Sequence, residues 1–135
     1  MSQASPAERP DRVNVPLRVR YAECDPMQIA HHASYPVWME IGRTELLRVQ
    51  GANYRDCEAT GVFFAVARMN IRYKKPARYD DELELLVVGL PCAGVKVEHQ
   101  YELRRDGELL MTAETTIVCI NAEGKAVPVP VGLLP

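Results

Sequence analysis

The segment Tyr35-Pro-Val-Trp-Met-Glu-Ile-Gly-Arg-Thr-Glu-Leu-Leu-Arg-Val-Gln50 interrupts a chain that otherwise alternates with a period of two. At about 100° per residue, Tyr35, Trp38, Met39, Gly42, Leu46 and Val49 share one face, with Glu40, Arg43, Thr44 and Arg48 largely opposite. This spacing predicts an amphipathic helix of about four turns. Ser34 is placed to cap it, Pro36 is tolerated in its first turn, and Gly51 follows its end. Upstream, Val13, Val15, Leu17, Val19 and Tyr21 alternate with Asn14, Arg18 and Arg20, a half-buried strand that Pro16 assigns to an edge or a bulge.

Downstream, residues 53–61 read as a short helical turn, and then strands follow in series. Met69, Ile71 and Tyr73 alternate with Arg68, Asn70, Arg72 and Lys74, and a more apolar strand spans Asp81–Leu90. Val95, Val97, His99, Tyr101 and Leu103 alternate with Lys96, Glu98, Gln100, Glu102 and Arg104. Asp106-Gly107 joins Val95–Arg105 to Glu108–Ile120 as a tight hairpin, and Val127–Pro135 is a proline-rich end. One long helix and about five strands, without alternating helices to make parallel crossovers, predict an antiparallel α+β architecture connected mainly as a meander. One helix covers one sheet face, and unpaired edge strands favour a homodimer.

A chain of 135 residues and 15.2 kDa suits one domain, expected over residues 13–135 behind a polar, proline-bearing tail at 1–12. Sixteen Lys and Arg against 18 Asp and Glu give a net charge of −2, without the basic excess that nucleic-acid binding demands. The longest stretch free of charged residues, Pro26–Met39, holds two histidines and two prolines, so no membrane span is encoded. The start lacks the apolar core of a secretory signal, which predicts a cytoplasmic protein. Cys24, Cys57, Cys92 and Cys119 are widely spread, as expected of reduced thiols and not of a zinc ribbon.

Chemistry concentrates in Tyr21-Ala-Glu-Cys-Asp-Pro-Met-Gln-Ile-Ala-His-His-Ala-Ser-Tyr35, between the first strand and the helix. Glu23, Cys24, Asp25, His31 and His32 lie just before a helix N-terminus, whose free N–H groups favour developing negative charge. Each also has a plain structural reading: Asp25 before Pro26 as a turn initiator, Cys24 as a small buried apolar group, and the histidines as donors to backbone. Adjacent histidines diverge on extended backbone, so a metal site is disfavoured.

The order strand, Glu23-Cys24-Asp25-Pro26, His32-Ala33-Ser34-Tyr35, helix, followed by Pro76-Ala-Arg-Tyr-Asp-Asp81, Asp106-Gly107 and Val127-Pro-Val-Pro130, resembles the hotdog-fold acyl-CoA thioesterases. The likeness is to the 4-hydroxybenzoyl-CoA thioesterase type, including relatives associated with the Tol–Pal system, and runs over nearly the whole ordered chain. It implies a central helix wrapped by a curved antiparallel sheet, and a homodimer or homotetramer. It implies acyl-CoA as substrate, coenzyme A being part of that substrate, with no metal and no other cofactor. Asp25 takes the role of nucleophile or general base, and the His32 backbone N–H that of oxyanion stabiliser. His31 and Tyr35 are assigned to substrate binding. Arg68, Arg72, Lys74 and Lys75, with Arg78 beside them, form the densest basic cluster and are expected to hold the nucleotide phosphates. Glu23, Met27-Gln28 and His31 depart from the family pattern, where an Asp, small residues with Gly, and a large apolar residue are usual. Two other readings remain: a non-catalytic acyl-CoA or acyl-carrier-binding module, and Cys24 as nucleophile with a histidine base.

Overall fold

A computed structural model describes residues 9–92 and 94–130. The elements are β1 (Arg12–Arg18), a 3-10 turn (Tyr21–Glu23), α1 (Ser34–Val49), α2 (Tyr54–Ala59), β2 (Phe63–Tyr73), β3 (Glu82–Gly89), β4 (Lys96–Arg105) and β5 (Glu108–Ile120). The five strands form one antiparallel sheet in the order β1-β3-β4-β5-β2. The expected meander holds for β3, β4 and β5. β1 and β2 depart from it and occupy the two opposite edges. Pro16 is tolerated because β1 pairs with β3 alone. Asp106 and Gly107 both take positive φ, 49° and 81°, as a two-residue hairpin requires.

α1 lies on one sheet face. Tyr35, Trp38, Met39 and Leu46 pack with Leu83, Leu85 and Val87 of β3, Tyr101 and Leu103 of β4, and Met111 and Ala113 of β5. Gly42 sits where helix and sheet come closest: a Cβ there would lie 2.5 Å from Val87 Cγ2 and 2.9 Å from Leu85 Cδ2. Asn53 caps α2 by accepting the Asp56 N–H. Among the described residues no helix is long and apolar enough to cross a membrane.

Several local expectations change. Val49 is exposed and Arg43 is buried, so the inner face of α1 is rotated toward Arg43 and Leu47. Ser34 is the first helical residue and not the cap; its hydroxyl donates to the Glu23 carbonyl at 2.8 Å. β1 stops at Arg18 because the chain turns into the 3-10 segment, leaving Val19 buried and Tyr21 exposed. Hydrogen bonds to the sheet and to α1 reach back beyond Val13: Arg12 is in β1, Asp11 O accepts the Gly89 N–H at 2.7 Å, and Pro10 O accepts from Gln50 Nε2 at 3.0 Å. Positions 1–8 of the expected tail, and 131–135 of the proline-rich end, lie outside the described residues.

Candidate active site

Glu23 anchors the loop between β1 and α1. Its buried carboxylate accepts the Arg20 N–H at 2.7 Å, the Trp38 indole N–H at 2.7 Å and Arg20 Nη2 at 3.3 Å. Burial alone would raise this carboxyl, but the Arg20 N–H, the Trp38 indole and the Arg20 guanidinium outweigh it and hold the pKa low. The Glu23 carbonyl accepts the His31 N–H and the Ser34 hydroxyl, both at 2.8 Å, which fastens the base of the loop to the start of α1. The sequence offered one signal of this role, a tryptophan on the buried helix face needing an acceptor.

From that base the chain makes a narrow excursion. Cys24 bridges Ala30, Asp25 N–H donates to Ile29 O at 2.9 Å, and Gln28 N–H donates to Asp25 O at 2.9 Å. Asp25 Oδ1 accepts the Met27 N–H at 2.8 Å, so the turn-initiating role expected of an Asp before Pro is realised. Its second carboxylate oxygen has no partner among the described residues, and the side chain is only half-buried. Gln28, which stands where glycine is usual in the resembled family, takes φ 63°, in the left-handed region that glycine favours.

At the helix start, His31 Nδ1 accepts the Ala33 N–H at 3.0 Å and His31 O accepts the Ser34 N–H at 2.8 Å. His31 therefore holds the turn that enters α1, its ring tilted 32° to that of His32 with centroids 4.1 Å apart. The His32 N–H has no acceptor among the described residues, as an oxyanion donor requires. His32, Tyr35, Tyr73, Lys74 and Lys75 wall an open groove of about 370 Å³. Tyr35 contributes as a buried wall more than as a free ligand group: its hydroxyl accepts the Ala77 N–H at 3.4 Å, and its ring meets Trp38 and Tyr73 edge-on, both at 4.9 Å. Asp25 and His31 stand outside the groove lining.

The basic cluster is divided. Lys74 and Lys75 border the groove, with Lys75 Nζ paired to Glu108 at 2.8 Å. Arg68 and Arg72 pair in register with Thr116 and Thr112, while Met69, Ile71 and Tyr73 pair with Thr115, Ala113 and Met111. Opposed residues share a face, so both arginines project from the side of the sheet away from α1, as their parity predicted, and away from the groove. Arg78 bridges by its backbone to Ile29. Around Cys24 the described residues offer no group that activates a thiol. Burial, and then the charges of Glu23, Asp25 and Asp81, push its thiol pKa up, and its hydrogen bond goes to Arg20 O at 3.6 Å and not to a histidine. Among the described residues no three His, Cys, Asp or Glu side chains converge as a metal site would need.

Residues 19–134 match the family model described as the thioesterase-like superfamily. The chain belongs to that superfamily. Within it, YneP of Bacillus subtilis, provisionally named an acyl-CoA thioesterase, is 39% identical over 79% of this chain and 78% of its own. The acyl-CoA thioester hydrolase YbgC of Escherichia coli O6:H1 is 35% identical over 78% of this chain and 80% of its own. The DHNA-CoA thioesterase of Staphylococcus aureus superposes with a TM-score of 0.83 at 27% identity, covering 87% of this chain and 80% of that one. This thioesterase-like protein therefore has the α+β hotdog fold and is a thioester hydrolase by family.

Proposed function

We propose that the protein hydrolyses acyl-CoA to a free acid and coenzyme A, with Asp25 as nucleophile or general base. The observation that carries this reading is the loop on Glu23, which holds one unbonded carboxylate oxygen of Asp25 in the same short turn that leads to the free His32 N–H. As a base, Asp25 takes a proton from water while the water oxygen bonds to the thioester carbon. As a nucleophile, its oxygen forms the bond itself, giving a mixed anhydride that water then opens. In both routes the carbonyl electrons move onto oxygen, where the His32 N–H and the helix N-terminus stabilise them, and the C–S bond breaks. A thiol of pKa about 8.5 departs as thiolate, so no strong general acid is needed.

Asp25 stands outside the groove that Ile29, Ala30 and His32 of its own loop help to line, and a second copy is the natural way to complete the site. β2 is the better edge for this: 11 residues against seven in β1, no proline, and exposed Val66, Met69 and Tyr73 on its inner face. Antiparallel pairing of two β2 strands sets the Phe63 end of one copy beside the Tyr73 end of the other. Lys74 and Lys75 are then the first candidates for the nucleotide phosphates, and Arg68 and Arg72 reach them only from a partner or across the sheet edge.

The test is release of free thiol from short, long, branched and aromatic acyl-CoAs, with sedimentation at micromolar concentration. Turnover by the wild type, its loss in Asp25→Asn and a dimer or tetramer are expected. Acyl-CoA binding without thiol release, with Asp25 serving only its turn, would establish the non-catalytic module instead.

A further inference from the structure

Beneath the second half of α1 lies a polar group that hydrolysis does not use. Arg43 is 7% exposed; its Nη1 donates to the Tyr101 hydroxyl at 3.2 Å, which in turn shares a 2.7 Å hydrogen bond with Thr115 Oγ1. Tyr54 of α2 faces the same guanidinium. No carboxylate among the described residues pairs with Arg43. Beside it, His99 of β4 is also 7% exposed, and both Arg43 Nε and His99 Nδ1 are buried without a hydrogen-bond partner. Burial, and then the charge of Arg43, lower the His99 pKa to about 4, so the ring is neutral at pH 7 and carries one N–H.

A buried cation without a counter-charge, itself carrying one unsatisfied N–H and lying beside an unsatisfied ring nitrogen of His99, opposes folding unless something completes it. These groups border a cavity of about 30 Å³ whose other walls include Leu47, Phe64 and Ile117. That volume admits roughly one water molecule or a group of similar size, and not a ring. Its apolar rim strengthens the attraction of the guanidinium for an anion. One carboxylate oxygen fits that volume, and the fork of Arg N–H donors suits the planar carboxylate that would present it from the cavity mouth.

We propose that this cavity binds a carboxylate, held by Arg43 with His99 and Tyr54 as further hydrogen-bonding groups. The carboxylate comes either from a free organic acid or from the far end of a substrate's acyl group. The second source rests on the reading above: pairing of β2 edges brings Phe64, which lines this cavity, beside the partner's groove at Tyr73. Acyl groups ending in a carboxylate are then preferred over methyl-ended ones.

Two measurements decide this. Calorimetric titration of the whole protein with sodium acetate, at constant ionic strength and pH 7.5, is expected to show saturable binding. Acetamide, neutral and of the same shape, should not bind. Binding should weaken at least tenfold in Arg43→Met and in His99→Phe; if Arg43→Met does not fold, Tyr54→Phe replaces it. In parallel, kcat/KM is compared for glutaryl-CoA and valeryl-CoA. An acyl carboxylate source predicts a preference for glutaryl-CoA that falls at least tenfold in His99→Phe while valeryl-CoA turnover is unchanged. Acetate binding without that preference assigns the cavity to free acids. No acetate binding and no preference in the folded wild type would overturn the proposal and leave the cavity to water. Failure to hydrolyse any acyl-CoA would refute the hydrolase reading while the acetate titration still decides the cavity.

Discussion

At the first turn of α1 the polar groups lie in a half-open loop, and most have a local bond: Asp25 to Met27, His31 to Ala33, Ser34 to Glu23. About two turns further along the same helix, Arg43, with His99 of β4 beside it, is buried, and both keep an unsatisfied nitrogen. A loop carries charge cheaply because water and backbone share the load, so its side chains are free to serve chemistry. A charge beneath a helix must be balanced by structure or by ligand. Removing the charge of Asp25 should therefore move rate and leave stability alone, whereas changes at Arg43 and His99 should move stability and carboxylate recognition and leave the turnover of methyl-ended acyl groups alone.

The largest expected effect is at the loop. Asp25→Asn should lower turnover by about 10²–10⁴-fold, the range for a positioned acid or base. Its melting temperature should hold, because the amide oxygen still accepts the Met27 N–H. Cys24→Ala should keep most activity; an inactive but folded Cys24→Ala protein would restore the cysteine mechanism. Next is the pH dependence set by His99. Its folded pKa of about 4 lies below the ordinary 6.5, so the unfolded chain takes up a proton that the folded chain refuses. Stability is then complete above pH 6.5 and declines as pH falls toward 4, by about 3 kcal/mol in total. Denaturant titrations across that range should show this slope in the wild type and a shallower one in His99→Phe; equal slopes would place His99 in contact with water.

Gly42→Ala tests the packing between the two sites. The added methyl meets Val87 and Leu85 and should cost about 1–3 kcal/mol in urea unfolding. A smaller effect belongs to the divided basic cluster. Lys74→Ala should raise KM a few-fold with kcat unchanged, as loss of uniform binding does, and Arg72→Ala should leave both constants alone. An equal rise in KM for Arg72→Ala would show that its face of the sheet also meets the nucleotide. The smallest change is a gain: Gln28→Gly relieves a left-handed backbone and should add up to about 1 kcal/mol.

The fold was legible because period is a local property: Lys96–Arg105 and Glu108–Ile120 announce themselves by alternation and by the Asp-Gly between them. Other features depend on partners distant in sequence. A helical wheel places Arg43 outside because it is charged, and only Tyr101 and Thr115, from strands far along the chain, make room for it. Ser34 reads as a cap until Glu23 takes its hydroxyl. Parity placed Arg68 and Arg72 on one face, but it stopped applying at Lys74, because β2 ends at Tyr73 and the Lys74 N–H turns to Leu110 O. The loop between β1 and α1 was legible from its local concentration of titratable residues and Asp25 from its turn before Pro26; the anchor at Glu23 was not, since an acidic motif position does not reveal what it bonds.

Trp38 is the only tryptophan in the chain, it is buried, and its indole donates to the carboxylate that fastens the loop. Emission excited selectively from tryptophan thus originates at the Glu23 anchor of the loop. Any ligand that loosens that anchor should shift the emission to the red, and one that tightens it should leave it blue. The molecule carries its own optical reporter at the place where substrate is expected to act, and loop occupancy can be followed in real time without a dye, a tag or a modified substrate.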